Sequence, residues 1–289
     1  PSLSIIYKLN YAWRFTVHAS YKERYGEMTD LYDRPYQTDY RNSVWNCGIL
    51  PVYRQQLYSV YGEYKSTARE FFATVNLTHN REWYNRIYEQ RIENGQVQRV
   101  SLPLSNHGSG YTVKSTLSKG FYDLGLKTSL MALLNISKAE QISGGQRLPY
   151  QYRLMRLEPK VIWTPNRHWE TSYQTDIRYG GSKIGERTRL APLWNVIQQV
   201  QLSYIFSPIE ASLSVDHYHN DVNEDQSVNA VFADFSVSWK SGRWQITATA
   251  TNLFDKRTYA YTRYASLESY TSWVRIRPRE FLVAIRYQL

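Results

Sequence analysis

The chain ends in a strict alternation. Phe281, Val283, Ile285, Tyr287 and Leu289 fall on one side, with Leu282, Ala284, Arg286 and Gln288 on the other. Strand side chains change face at every residue, so one face here is continuously apolar and the other mixed. The preceding run repeats the pattern, Trp244, Ile246, Ala248 and Ala250 opposing Gln245, Thr247, Thr249 and Thr251. A period of two sustained to the last residue restricts this end of the chain to β-sheet and places its C-terminus inside that sheet.

The same period recurs upstream. Leu3, Ile5 and Tyr7 mark a first run, and Trp13, Phe15 and Val17 a second after a turn at Asn10-Tyr11. A polar segment, about 26–51, separates these from Tyr58, Val60 and Tyr64, then Phe71, Val75 and Leu77. Further runs begin near Tyr111, Leu124, Met155, Trp169, Val196, Ile209 and Val231, which with the last two gives thirteen. The connections alternate, a few residues and then about ten or more. Polar loops are expected around 93–95, 102–110, 143–149, 180–194 and 218–229. Runs of about 9 to 15 residues exceed an ordinary strand and suffice to cross a bilayer when tilted. Trp13, Trp163, Trp169, Phe206, Trp239 and Trp244 lie beside the short turns, where an interfacial aromatic girdle belongs. The fold class this implies is all-β, an antiparallel up-and-down transmembrane β-barrel.

Composition agrees. There are 26 tyrosines, 9 tryptophans and 9 phenylalanines in 289 residues, yet the mean hydropathy is −0.56. Rings with one apolar and one wet side suit a surface that meets both lipid and water. No apolar run is long enough for a membrane helix. The net charge of +10 is spread along the chain rather than massed in a block, so no nucleic-acid partner is expected. Some of these cations are candidates to meet lipopolysaccharide phosphates. Cys47 is the only cysteine, which excludes an intrachain disulfide and a cysteine metal cluster.

Placing the short turns at the periplasm makes the last strand end there and the first begin outside. Single-chain bacterial barrels have an even strand number with both termini in the periplasm. Thirteen strands therefore imply at least one more before Pro1. The sequence opens without a signal peptide, and the expectation is that residues 1–289 are the C-terminal part of one larger barrel.

Two strings near the end carry a family resemblance. Asn252, Leu253, Phe254 and Asp255 followed by Tyr259 resemble the N-L-F-(D/N)…Y signature of TonB-dependent outer-membrane receptors. Pro278, Arg279 and Phe281, opening the alternating tail, resemble the P-R-x-F form of the Bacteroidota receptors. The resemblance implies a 22-stranded barrel in the outer membrane, closed by an N-terminal plug, taking up a scarce solute with energy from the TonB complex. It also implies contact with outer-membrane lipid and lipopolysaccharide and insertion by the barrel-assembly machinery. No plug, TonB box or signal peptide occurs in this sequence. The assembly strand Phe281, Val283, Ile285, Tyr287, Leu289 departs from the family in ending on Leu289 rather than an aromatic residue.

Other constellations carry less chemistry. His217 and His219 share a strand face near Asp216 and Asp221, but His217 continues the apolar face of Leu213 and Val215, which favours a surface role over a metal site. The Asp221–Asp225 string echoes a calcium loop with Gln226 where the loop requires glycine. Asn76 and Asn135 head sequons inside predicted strands. No nucleophile elbow, phosphate loop or HExxH occurs, so no enzyme, catalytic residue, cofactor or metal is expected. Loop aromatics Tyr32, Tyr36, Trp45, Tyr261, Tyr264 and Tyr270 are candidate ligand contacts, since aromatics give contact area at low entropic cost. The ligand class, whether a small molecule, glycan or peptide, stays open. The rival reading is a complete barrel of 12 or 14 strands with a structural or adhesive role. A soluble β-sandwich fits the long strands and loop asymmetry poorly.

Overall fold

A computed structural model describes the chain except for residues 94–95, 186–187, 223–224, 265–268 and 289. The first strands are β1 (Ser2–Lys8), β2 (Trp13–Tyr25), β3 (Tyr36–Gln37), β4 (Asn42–Trp45), β5 (Val52–Ser66) and β6 (Phe71–Tyr84). Next come β7 (Ile87–Glu93), β8 (Gln96–Leu102), β9 (Asn106–Phe121), β10 (Leu126–Ser143), β11 (Gln146–Asn166), β12 (Trp169–Ile184) and β13 (Thr188–Phe206). The chain closes with β14 (Ile209–Asp221), β15 (Ser227–Ser241), β16 (Trp244–Thr251), β17 (Thr258–Tyr264), β18 (Ser269–Arg275) and β19 (Glu280–Tyr287).

Thirteen of these, β1, β2, β5, β6, β9–β16 and β19, pair antiparallel with their neighbours along the chain in one up-and-down wall. They correspond one for one to the runs of alternation in the sequence. The register makes the reason visible. Val17, Val60, Leu77, Val113, Leu134 and Met155 sit opposite one another across six strands, forming one row of an apolar face. The other face is polar: Thr74 and Thr116 hydroxyls meet at 2.5 Å, Asn135 donates to Thr112 at 2.8 Å, and Arg156 grips Asp176 at 2.9 and 3.0 Å. A one-residue slip would exchange the two faces, so this patterning fixes the register.

Short turns close one end of the wall. Asn10 Oδ1 accepts from the amides of Ala12 and Trp13, and Asn166 Oδ1 from those of His168 and Trp169, so both are side-chain-closed turns. Aromatic rings gather beside them on the apolar face: Trp13 on Tyr64, Trp169 on Tyr204 and Trp244 on Tyr287, each pair 4.7 Å apart. A second aromatic level stands at the opposite end, where Tyr58, His79 and Tyr111 stack. Phe71 and His79 stand eight steps apart on β6, so the two levels are separated by roughly 25 Å measured along the strand.

The long-loop end differs from the expectation. The segment 26–51 is not merely polar loop, since it carries a short 3-10 turn (Met28–Leu31) and the strands β3 and β4. Residues 87–102, where the sequence suggests only a loop around 93–95, form the hairpin β7–β8. The loops expected at 143–149, 180–194 and 218–229 are largely strand: Ser143 pairs with Gln146, β12 runs to Ile184, β13 starts at Thr188, β14 ends at Asp221 and β15 starts at Ser227. The wall strands therefore reach up to 21 residues, beyond the expected 15. Glycine and polar residues above the aromatic level imitate loop composition, but paired backbone continues there because the neighbouring strand is equally long.

Packing is concentrated at that same end. Ile87, Val100 and Ile142 are buried where the β7–β8 hairpin meets β10, and Ala230 and Ala260 where β17 meets β14 and β15. Both faces of β1 and β19, by contrast, are open: Leu3 is 62% and Leu282 65% exposed. Among the described residues β1 pairs with β2 alone and β19 with β16 alone. No helix in the described residues is long and apolar enough to cross a membrane.

Candidate functional site

The motif residues form a structural knot at the head of β16. Asn252 adopts φ 51°, a left-handed conformation in which asparagine is tolerated because its short amide bonds locally. Its Nδ2 donates to the carbonyls of Lys256 and Arg277, at 2.8 and 2.9 Å, and its Oδ1 accepts from the Lys256 amide at 3.0 Å. Its own amide donates to Asp234 Oδ1 at 2.8 Å. One buried residue, through its side chain and its own amide, thereby ties both ends of the β17–β18 loop to β15. Asp255, also left-handed at φ 50°, accepts from the Arg279 amide at 2.9 Å and pairs with Arg257 at 2.8 Å. The Arg279 amide, followed by the Arg257 guanidinium, holds the Asp255 carboxyl below its ordinary range.

Leu253 donates its amide to the Ala233 carbonyl, and Phe254 stays exposed. Tyr259 sits edge-on to Tyr218 and Phe232 of the polar face and meets the Asn220 amide at 2.6 Å. The hairpin is thus folded over the polar face. Pro278 follows the carbonyl that Asn252 holds, and Phe281, Val283, Ile285 and Tyr287 align with Ala250, Ala248, Ile246 and Trp244. Leu289 lies outside the described residues.

A larger site lies on the polar face beneath the other loops. β4 pairs in parallel with β8, β8 with β7, and β7 in parallel with the tip of β10, so two loops form one small sheet. Glu89 secures it, accepting from Arg91 at 2.7 and 2.9 Å and from the Gly145 amide at 3.1 Å. Arg86 bonds Asp30 at 2.9 Å, and Asn85 clamps the Val52 amide and the Leu50 carbonyl. Burial alone would raise the Asp30 carboxyl, but the bonds from Arg86 and the Glu27 amide outweigh it and hold it low.

Between this small sheet and the wall is a cavity of about 700 Å³. The wall contributes Asn80, Glu82, Tyr84, Asn106 and Tyr150, all at polar-face positions of their strands. The loops contribute Asp39, Asn42, Arg86, Tyr88 and Arg99. Glu82 accepts from four neutral donors, Tyr53, Gln55, Asn80 and Tyr84, at 2.8 to 3.1 Å. Arg86 and Arg99 stand over the Tyr88 ring at 5.0 and 3.7 Å. The Asn42 side chain, with the Arg41 and Asn42 amides, holds the Asp39 carboxyl below its ordinary range. A chamber of this size, lined by convergent amides, phenols, carboxylates and guanidinium groups, can hold a polar solute by many directional bonds.

Tyr32, Tyr36 and Trp45 do not line this cavity. Tyr32 and Tyr36 meet edge to face 6.1 Å apart, and Trp45 donates to Asp33 at 3.0 Å, so these rings pack the loops. The side chains of Tyr261, Tyr264 and Tyr270 lie outside the described residues. His217 and His219 are on the apolar face, bonded to Gln198 and Asn229, and the described residues hold no cluster of three or more potential metal ligands. Asp221 accepts from the Trp194 amide at 2.8 Å, while Asn223 and Glu224 of the calcium-like string lie outside the described residues. The cavity residues Glu82, Tyr84, Arg86, Tyr88 and Arg99 escaped sequence reading. The usable signal was Asn94-Gly95 between two alternating runs, a hairpin signature that would have placed β7 and β8.

These features define the wall of an antiparallel, up-and-down transmembrane β-barrel, apolar on one face and polar on the other, with packed loops at one mouth. No family model and no curated protein sequence matches the chain. Solved structures do. P. aeruginosa FpvA, solved with heterologous pyoverdines and iron, superposes with a TM-score of 0.50 at 10% identity, over 98% of this chain and 43% of FpvA. The FrpB iron transporter of Neisseria meningitidis gives 0.50 at 8% identity, over 91% of this chain and 43% of FrpB. The chain thus spans less than half the length of either.

Proposed function

We propose that this chain is the C-terminal barrel portion of a TonB-dependent outer-membrane receptor that binds a scarce polar solute at its outer mouth for import. The observation that carries the reading is the 700 Å³ polar cavity, formed where two loops fold over the lumen side of a lipid-facing wall. The open edges of β1 and β19 support a larger barrel. An unpaired strand edge in hydrocarbon leaves backbone groups costing several kcal/mol each, and further strands of the same protein would satisfy them. The coverage of FpvA and FrpB supports the same inference, as does the position of the Asn252–Tyr259 motif.

In this reading the short turns face the periplasm, and the β7–β8 and β17–β18 hairpins face outward. Glu82, Tyr84, Arg86 and Tyr88 bond the solute, and a plug domain coupled to TonB closes the lumen below. No catalytic step is assigned. The test is uptake by cells carrying the full-length protein, with labelled ferric siderophores, oligosaccharides and short peptides as the probe panel. The reading expects accumulation of one class that collapses with a protonophore and falls at least tenfold in Glu82→Ala. Accumulation indifferent to the protonophore, or no accumulation of any class, contradicts energised import.

A further inference from the structure

The solute cavity holds one charged side chain that the protein itself leaves unanswered. The cavity is roofed by the small loop sheet, in which Arg99 stands on the central strand β8, between Val44 of β4 and Gln90 of β7. Of the two arginines lining the cavity, Arg86 is engaged by Asp30 at 2.9 Å. Arg99 forms no ion pair among the described residues. It is held instead by the Tyr88 ring, with its guanidinium carbon 3.7 Å from the centroid. A guanidinium this close to a ring uses its flat face, which leaves the N–H groups at its edge free to donate. Arg99 is thus a fork fixed in place with its edge open.

The carboxylates of the same cavity are in the opposite condition. Glu89 accepts from Arg91 and the Gly145 amide, and Glu140 from Arg147. Asp39 accepts from the Arg41 and Asn42 amides and from Asn42 Nδ2, at 2.7 to 2.9 Å. Glu82 accepts from four neutral side chains. Each carboxylate is answered from within the fold, whereas Arg99 is not. A guanidinium fork matches a carboxylate or a phosphate, bonding either through two parallel N–H groups. The surroundings decide between them. Asp39 and Glu82 are bonded to neutral donors alone, so their charge repels a dianionic phosphate more than a singly charged carboxylate. The rest of the lining is largely neutral: Asn42, Gln90, Tyr84, Asn106 and Tyr150 can donate and accept, as the hydroxyl groups of a solute do.

We propose that Arg99, stacked on Tyr88, selects the solute by a carboxylate, and that the solute is a polyhydroxylated carboxylic acid. An acidic sugar and a hydroxycarboxylate chelate of a metal ion share that chemistry. The site is the solute cavity already described, so the proposal rests on the receptor reading and adds to it the group that is recognised.

The experiment uses the purified full-length protein, with heat-modifiable gel migration scored first for every variant. Its probes are trigalacturonate, the methyl ester of trigalacturonate, galactotriose, ferric citrate and a neutral ferric trihydroxamate. One of the two acids, trigalacturonate or ferric citrate, is expected to bind, and which one does so identifies the source of the carboxylate. Its neutral counterparts should bind roughly 30-fold less well, the worth of a charge-assisted bidentate pair. Arg99→Gln should weaken the acid by the same factor and leave the neutral probes unchanged. Arg99→Lys, which keeps the charge without the fork, should fall between. Equal binding of acid and neutral counterpart by the unaltered protein, or an acid affinity that Arg99→Gln does not change, overturns the carboxylate assignment while leaving the solute cavity standing. Binding of none of these probes overturns it too, and protonophore-sensitive accumulation of another solute by cells then separates its failure from that of the import reading.

Discussion

Asn252 shows how much one side chain can organise. It holds three backbone groups across the ends of a loop while its own backbone is left-handed. Asn252→Gly keeps the backbone conformation and loses the side-chain bonds, so it should loosen β17–β18 by on the order of 1–3 kcal/mol. Asn252→Ala should cost about 1 kcal/mol more, the left-handed penalty. Amide exchange of residues 258–264 measures both, and equal protection in the two variants would contradict the backbone part of the account. Asp255 makes a pH-dependent contribution beside it. Its folded carboxyl is depressed, so the Arg279 contact is present above the ordinary aspartate value of 3.8 and is lost as pH falls through the lower folded value. Exchange at the Arg279 amide should therefore accelerate below that pH and not above it, and Asp255→Asn should abolish the dependence.

Among the elements, the small loop sheet is packed more like a soluble domain than the wall beneath it. Ile87 is fully buried, whereas the large apolar residues of the wall face outward. Ile87→Ala should cost about 2–5 kcal/mol, and the loss should stay local. Protease sensitivity of residues 87–102 should rise while exchange protection of β10–β13 is unchanged; global loss of protection would show the loop sheet to be part of the wall's cooperative unit. These elements also mark the limit of what the sequence reveals. Thirteen wall strands are legible because lipid on one side and a wet lumen on the other impose a period of two on each. Above the membrane that constraint vanishes. Strands such as β12 continue through Gly180 and Gly181, and β4 finds β8 only through pairing distant in sequence. The cavity is assembled from those long-range pairings, so Glu82 and Arg99 share no local signal. The aromatics Tyr32, Tyr36 and Trp45 did carry one, but it reports loop packing.

For the whole molecule, the central claim is that one face of the wall meets lipid and the other a polar lumen. Leu134→Arg, in the apolar band, should destabilise the protein refolded in phospholipid vesicles by about 2–4 kcal/mol, and Thr112→Arg on the opposite face by much less. Urea titration gives both values. The most direct measurement is a cysteine scan through 111–117 of β9 in a Cys47→Ser background, each site spin-labelled in membranes and probed with oxygen and a water-soluble paramagnet. The account predicts a period of two: labels at 111, 113, 115 and 117 relaxed by oxygen, and those at 112, 114 and 116 by the aqueous reagent. Accessibility that is uniform along the strand, or aqueous at every site, would contradict a lipid-facing wall and with it the receptor reading.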